Sequence, residues 1–120
     1  MKTLSTVDPD APIECTLPVT QAAGRLCDLD DVVGGGRLRA IARTAGRFRF
    51  TVARDGRTDL ERQLAAWAAD EKECCSFLGF AIESADDAVT MEIQAPDGAG
   101  STLDGIDWLV RAAAGTRPTA

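Results

Sequence analysis

The sequence predicts an α+β domain, a two-layer sandwich with a mainly antiparallel sheet and helices on one face, in the ferredoxin-like type of architecture. Three observations predict it. Phe48, Phe50 and Val52 alternate; Leu78, Phe80 and Ile82 alternate and are followed after a short turn by Val89, Met91 and Ile93. This is the period-two pattern of half-buried strands, the second pair forming a hairpin. Between them, Leu60, Leu64, Trp67 and Ala68 recur at helical spacing, and Leu103, Ile106, Leu109, Val110 and Ala113 form a second helical stripe. Elements with one apolar face each, in the order β-α-(β)-β-α-β-β-α, bury those faces most economically as a helical layer on a sheet.

Each element has its own local warrant. Residues 1–11 read as a flexible arm ending at the turn cluster Asp8-Pro9-Asp10-Ala11-Pro12, residues 12–114 as a single domain, and 115–120 as a flexible tail. Ile13, Cys15 and Leu17 alternate, which gives a first strand over 13–19 with Cys15 turned to the core. A weaker helical pattern over 20–33 places Ala23, Leu26, Cys27 and Val33 roughly on one side and stops at Gly34-Gly35-Gly36. That glycine run is a turn and not a phosphate loop, because no G-x-x-x-x-G-K-[ST] surrounds it. Leu38, Ala40 and Ala42 fit a strand or a continued helix, whereas 47–53 is a strand whose Arg47 and Arg49 face solvent. Thr58 and Glu61 have the spacing of a capping box opening a helix over about 59–75, and Ser101 with Asp104 repeats it before the last helix. Ala85-Asp86-Asp87 turns the hairpin, Pro96-Asp97-Gly98 ends it, and Trp67 and Trp108 are expected in the core.

Composition narrows the chemistry. A chain of 120 residues makes one domain. A formal charge of -6 with dispersed arginines disfavours nucleic-acid binding by this domain alone, since phosphate neutralisation needs a concentrated positive face. No apolar run approaches the ~18 residues of a membrane span, and the first residues lack the apolar core of an export signal. A cytoplasmic location is therefore expected. With no histidine and no tyrosine, the chain has no Ser/His or Cys/His nucleophile pair and no Cys2His2 zinc site. Cysteines and carboxylates remain.

The segment Glu71-Lys72-Glu73-Cys74-Cys75 is where they concentrate. At about 100° per residue, Glu71, Cys74 and Cys75 fall within roughly 60° of Leu60, on the face that Leu64 and Trp67 mark as buried. Cysteine packs well there, but a core-facing carboxylate is costly unless paired, hydrogen-bonded, protonated or beside a metal. Adjacent Cα atoms lie ~3.8 Å apart, short of the ~4.4–6.8 Å that disulfides span, which disfavours a structural bridge between Cys74 and Cys75. A helix C-terminus and the carboxylates of Asp70, Glu71 and Glu73 raise a thiol's pKa, so these are poor nucleophiles until a soft cation displaces the proton. Cys15, on the first strand, is the candidate third ligand. A thiolate site without histidine suits Hg(II), As(III) or Cu(I); Zn with Cys27 as a fourth ligand would lack the usual C-x2-C spacing.

Several stretches together carry a family resemblance. Cys15-Thr16-Leu17, Arg43-Thr44-Ala45-Gly46 through Phe48 and Phe50, Glu71 to Phe80 (EKECCSFLGF) and Ile93-Gln94-Ala95-Pro96 resemble a pattern of small bacterial proteins and appended domains. That pattern is C-T-L, then R-T-x-x-G-x-x-x-x-F, E-x-x-C-C-P-F-[LF]-x-F and [VI]-x-x-A-P. Those proteins are similar to domains that accompany MerR-type heavy-metal regulators and mercury-resistance functions. The resemblance implies Cys15, Glu71, Cys74 and Cys75 as functional positions and a MerR-type regulator or a metal transporter as partner. Cys27 has no counterpart in it, and Ser76 stands where it has proline.

The expectation is thus a cytoplasmic binding module, monomer or homodimer, that takes up a soft metal or metalloid ion through Cys74, Cys75 and Cys15 in heavy-metal resistance or sensing. Two alternatives stand beside it. One is a thiol enzyme, either a redox catalyst or an organomercurial-lyase-like protein in which Glu71 delivers the proton. The other is a structural or oligomerisation domain whose cysteines only pack.

Overall fold

The structure, a computed structural model, describes residues 1–12, 29, 31–34 and 36–115, with Cys74 described in its backbone alone. The strand expected over 13–19, most of the helix expected over 20–33 and nearly all of the tail lie outside the described residues. Five strands, β1 (Lys2–Ser5), β2 (Leu38–Arg43), β3 (Arg47–Ala53), β4 (Gly79–Ser84) and β5 (Ala88–Gln94), form one sheet in the order β1-β4-β5-β3-β2. Every neighbouring pair is antiparallel. Helix α1 (Leu60–Cys74) joins β3 to β4, and α2 (Gly100–Ala114) follows β5. Because β5 lies between β3 and β4, the β3-α1-β4 unit is a split β-α-β, and the chain is an α+β sandwich as its pattern predicts.

The alternation places the core. Phe48, Phe50 and Val52 on β3 pair with Ile93, Met91 and Val89 on β5, and Phe80 and Ile82 on β4 pair with the same Ile93 and Met91. All eight side chains are buried, under Leu60, Leu64, Trp67 and Ala68 of α1 and Leu103, Ile106, Val110 and Ala113 of α2. Trp67 stands edge-on to Phe50 and Phe80, with ring centroids 6.1 and 6.3 Å away, and so locks α1 across the centre of the sheet. Leu29, Val32 and Val33, from the helical stretch before the glycine run, enter the same core. The ambiguous segment 38–43 is a strand, with Leu38 and Ile41 packed against that core from the sheet edge.

Three expectations are corrected. Residues 2–5 are not a loose arm but the edge strand β1, because β4 offers them an unpaired edge and Leu4 packs against the core. Neither helix carries its expected capping box. Asp59 and Ala99 occupy the N-cap positions without a side-chain hydrogen bond. The carboxylates that would close the boxes are engaged elsewhere: Glu61 accepts from Ser84 Oγ at 2.5 Å, and Asp104 pairs with Arg43 Nη2 at 2.9 Å. Trp108 is 52% exposed rather than core. It lies roughly 180° around α2 from the mean direction of Leu103, Ile106, Val110 and Ala113, so the helix turns it outward. Arg47 and Arg49 project from the uncovered sheet face as expected, and there they converge on a buried carboxylate, Glu92, at 3.8 and 2.8 Å.

Candidate thiol site at the end of the first helix

Helix α1 ends where the chain turns down into the sheet. The Cys75 N–H donates to Glu71 O at 2.7 Å, the Leu78 N–H donates to Cys75 O at 3.0 Å, and β4 begins at Gly79. This turn buries Cys75 (1% exposed), Phe77 and Leu78 while Ser76 stays out. Glu71, one turn earlier on the same helix face, is 5% exposed, as its wheel position predicts, and it has an interaction partner there. A carboxylate and a sulfur are therefore held beneath the surface on successive turns of one helix.

Cys75 is disulfide-bonded. Its side chain belongs to the buried core cluster. Of the other three cysteines, Cys15 and Cys27 lie outside the described residues and Cys74 is described only as the last residue of α1. Among the described residues no three His, Cys, Asp or Glu side chains gather into a metal-holding group. A disulfide sulfur is not a thiolate, so the ligand role expected of Cys75 belongs to the reduced form of the chain.

The outer side of the turn is closed by the N-terminal residues. After β1 the chain crosses the Cys75–Gly79 turn as a strap: the Asp8 N–H donates to Phe77 O at 3.2 Å, and Thr6 and Val7 lie against Gly79. Lys72 clasps the two together. Its ammonium donates to Thr6 O at 3.0 Å, Ser76 O at 2.5 Å and Leu78 O at 2.6 Å, which satisfies all three of its donors. A cation among carbonyls at a helix C-terminus also complements the helix dipole. Beside the clasp, between β1 and α1, runs a groove of about 400 Å³ lined by Leu4, Ser5, Ala65, Ala68, Ala69, Lys72 and Glu73.

Sequence reasoning anticipates the burial of Glu71 and Cys75 but missed Lys72 and Gly79. Both leave signals. A lysine in the last helical turn often reaches the free carbonyls, and a glycine opening an otherwise apolar strand marks a close backbone approach. The chain matches no protein-family model, no curated protein and no solved structure. Function therefore rests on the chemistry of the site.

Proposed function

We propose that the reduced chain captures a soft thiophilic ion of the Hg(II), As(III) or Cu(I) class through Cys75 and the sulfur that pairs with it, with Cys74 and Cys15 as the candidate partner ligands. The observation that carries this reading is the disulfide at Cys75: a second sulfur approaches to bonding distance at a buried position beside Glu71. Reduction turns such a pair into a preformed dithiol in a low-dielectric setting. An ion entering it displaces two thiol protons, and Glu71 or water takes them up. Soft polarisable ions favour thiolate sulfur over the carbonyl and carboxylate oxygens that surround the turn. The biological setting proposed is heavy-metal resistance or sensing, with a MerR-type regulator or a transporter receiving the ion.

A second reading is favoured by the same disulfide: a dithiol-disulfide redox couple, in which the pair cycles against a small-molecule thiol without retaining a metal. The lyase form of the enzyme reading would add Glu71 as proton donor. Titrating the reduced protein with Hg(II) and with As(III), while following sulfur-to-metal charge-transfer absorption, separates these. Ion capture predicts one equivalent bound, abolished in Cys75→Ser and weakened in whichever of Cys15→Ser and Cys74→Ser removes a further ligand. Binding that survives Cys75→Ser would remove the reading, and turnover of a disulfide substrate without stoichiometric uptake would replace it with the redox one.

A further inference from the structure

We propose that the free edge of β2 (Leu38–Arg43) docks an extended acidic segment of a partner protein, one that alternates acidic with apolar residues and joins the sheet as a further strand. The site lies on the sheet edge opposite β1 and does not depend on the sulfur chemistry at Cys75. Backbone geometry, a groove and an unpaired charge at the same edge carry the inference.

The backbone comes first. β2 ends the strand order, and among the described residues it pairs with β3 alone. The Thr44 N–H donates to Arg47 O at 2.9 Å, which fixes the phase of the ladder. Bonded and non-bonded pairs alternate along an antiparallel ladder, so Ala42 and Arg49 are the next bonded pair. Ile41 and Arg43, opposite Phe50 and Phe48, then turn their N–H and C=O groups away from β3. Among the described residues no hydrogen bond reaches those groups. With six residues against the four of β1, β2 is the longer open template of the two edges.

A groove of about 290 Å³ runs beside this edge, between β2 and α2, and is lined by Leu38, Arg39, Ala40, Ile41 and Arg111. Leu38 and Ile41 are half-buried and packed on the core, so they give the groove an apolar floor. Strand addition works through these two features together: main-chain hydrogen bonds supply affinity, and a pocket for alternate side chains supplies specificity.

Charge selects the occupant. Arg111 is tied to Asp107 at 2.5 Å and Arg43 to Asp104 at 2.9 Å, whereas Arg39 is exposed and makes no ion pair among the described residues. An acidic side chain on an added strand pairs with Arg39, and a basic one is repelled. The same arginines disfavour a second copy of this chain as the occupant. Two β2 strands paired antiparallel about Ile41 would set Arg39 of each against Arg43 of the other, and the register shift between Leu38 and Ala40 breaks such a ladder further.

The test uses three end-blocked peptides, EVEVEVE, KVKVKVK and EPEPEPE, titrated into the full chain while backbone amide shifts and hydrogen exchange are followed. Docking predicts that the Ile41 and Arg43 amides exchange freely in the protein alone and gain protection with EVEVEVE. Shift changes should centre on 38–43 and Arg111. KVKVKVK should bind at least about fivefold more weakly, and Arg39→Glu should reverse that order. EPEPEPE keeps the charge but cannot join a ladder, and it should bind at least about fivefold more weakly too. Equal binding of EPEPEPE and EVEVEVE, no binding of EVEVEVE at millimolar concentration, or shift changes away from β2 would overturn the proposal. So would Ile41 and Arg43 amides already protected in the protein alone. That protection means a second copy on the edge if sedimentation finds a dimer, and a segment of the same chain if it finds a monomer.

Discussion

Gly79→Ala tests the seating of the strap through a single methyl group. A Cβ at position 79 would lie 2.7 Å from Val7 N, 3.0 Å from Thr6 C and 3.1 Å from Val7 Cγ2. Ordinary carbon contacts begin near ~3.5 Å, so strap and strand must separate by about 0.8 Å, and the clashing atoms are mostly backbone that no rotamer change can move. Strand β4 cannot yield, because Gly79 is paired with Gln94 inside the sheet. The strap must therefore move, which lengthens the Asp8 N–H to Phe77 O bond, already 3.2 Å, and the Lys72 bond to Thr6 O, now 3.0 Å. Two hydrogen bonds at about 1 kcal/mol each, plus residual crowding, outweigh the ~0.4–1 kcal/mol that Gly→Ala gains by restricting the unfolded chain. The net expectation is a loss of about 1.5–2 kcal/mol, or a Tm lower by roughly 5–8 °C in a domain of this size. Urea unfolding should show a lower midpoint at unchanged slope. A Gly79→Ala protein as stable as wild type, or more so, would mean that the strap does not rest on β4 and would refute the reasoning.

Two further predictions probe the frame that holds the site. The hydrogen bond from Arg49 holds the Glu92 carboxyl below its ordinary value of 4.5, against a burial effect that acts the other way. A depressed folded-state pKa contributes stability that is present above the unfolded value and is lost as pH falls through the folded pKa. Glu92→Gln should therefore cost about 1–2 kcal/mol at neutral pH, discounted because Arg49 is half exposed, and the gap to wild type should close as the pH of urea unfolding is lowered below about 4.5. A gap that is constant from about pH 7 to about pH 3 would rule out the ion pair as its source. The two tryptophans should separate widely: Trp67→Ala, at the centre of the aromatic contact with Phe50 and Phe80, is expected to cost about 3–5 kcal/mol, and Trp108→Ala less than about 0.5 kcal/mol in thermal or urea unfolding. Equal losses would contradict the orientation of α2.

The sheet and both helices are legible in the sequence because Phe48-Phe50-Val52, the 78–93 hairpin and the two helical stripes each bury one face at a strict period. Burial of Glu71 follows from the same arithmetic. The features that escape depend on tertiary partners. Lys2–Ser5 contains one large apolar residue, Leu4, and becomes a strand only because β4 has a free edge. Thr58 and Ser101 have the spacing of caps, yet Ser84 and Arg43, distant in sequence, take the carboxylates that would complete them. Trp108 shows residue type outweighing angle: its identity suggests core, while its wheel position already points outward.

Whether the Cys75 sulfur pair is an ion site is tested most directly by native mass measurement of the protein with Hg(II) in the presence of excess glutathione, on the reduced and the disulfide form of one preparation. Ion capture predicts one Hg(II) retained by the reduced form and none by the oxidised form. Loss of the ion to glutathione from both forms, or equal retention by both, would contradict it.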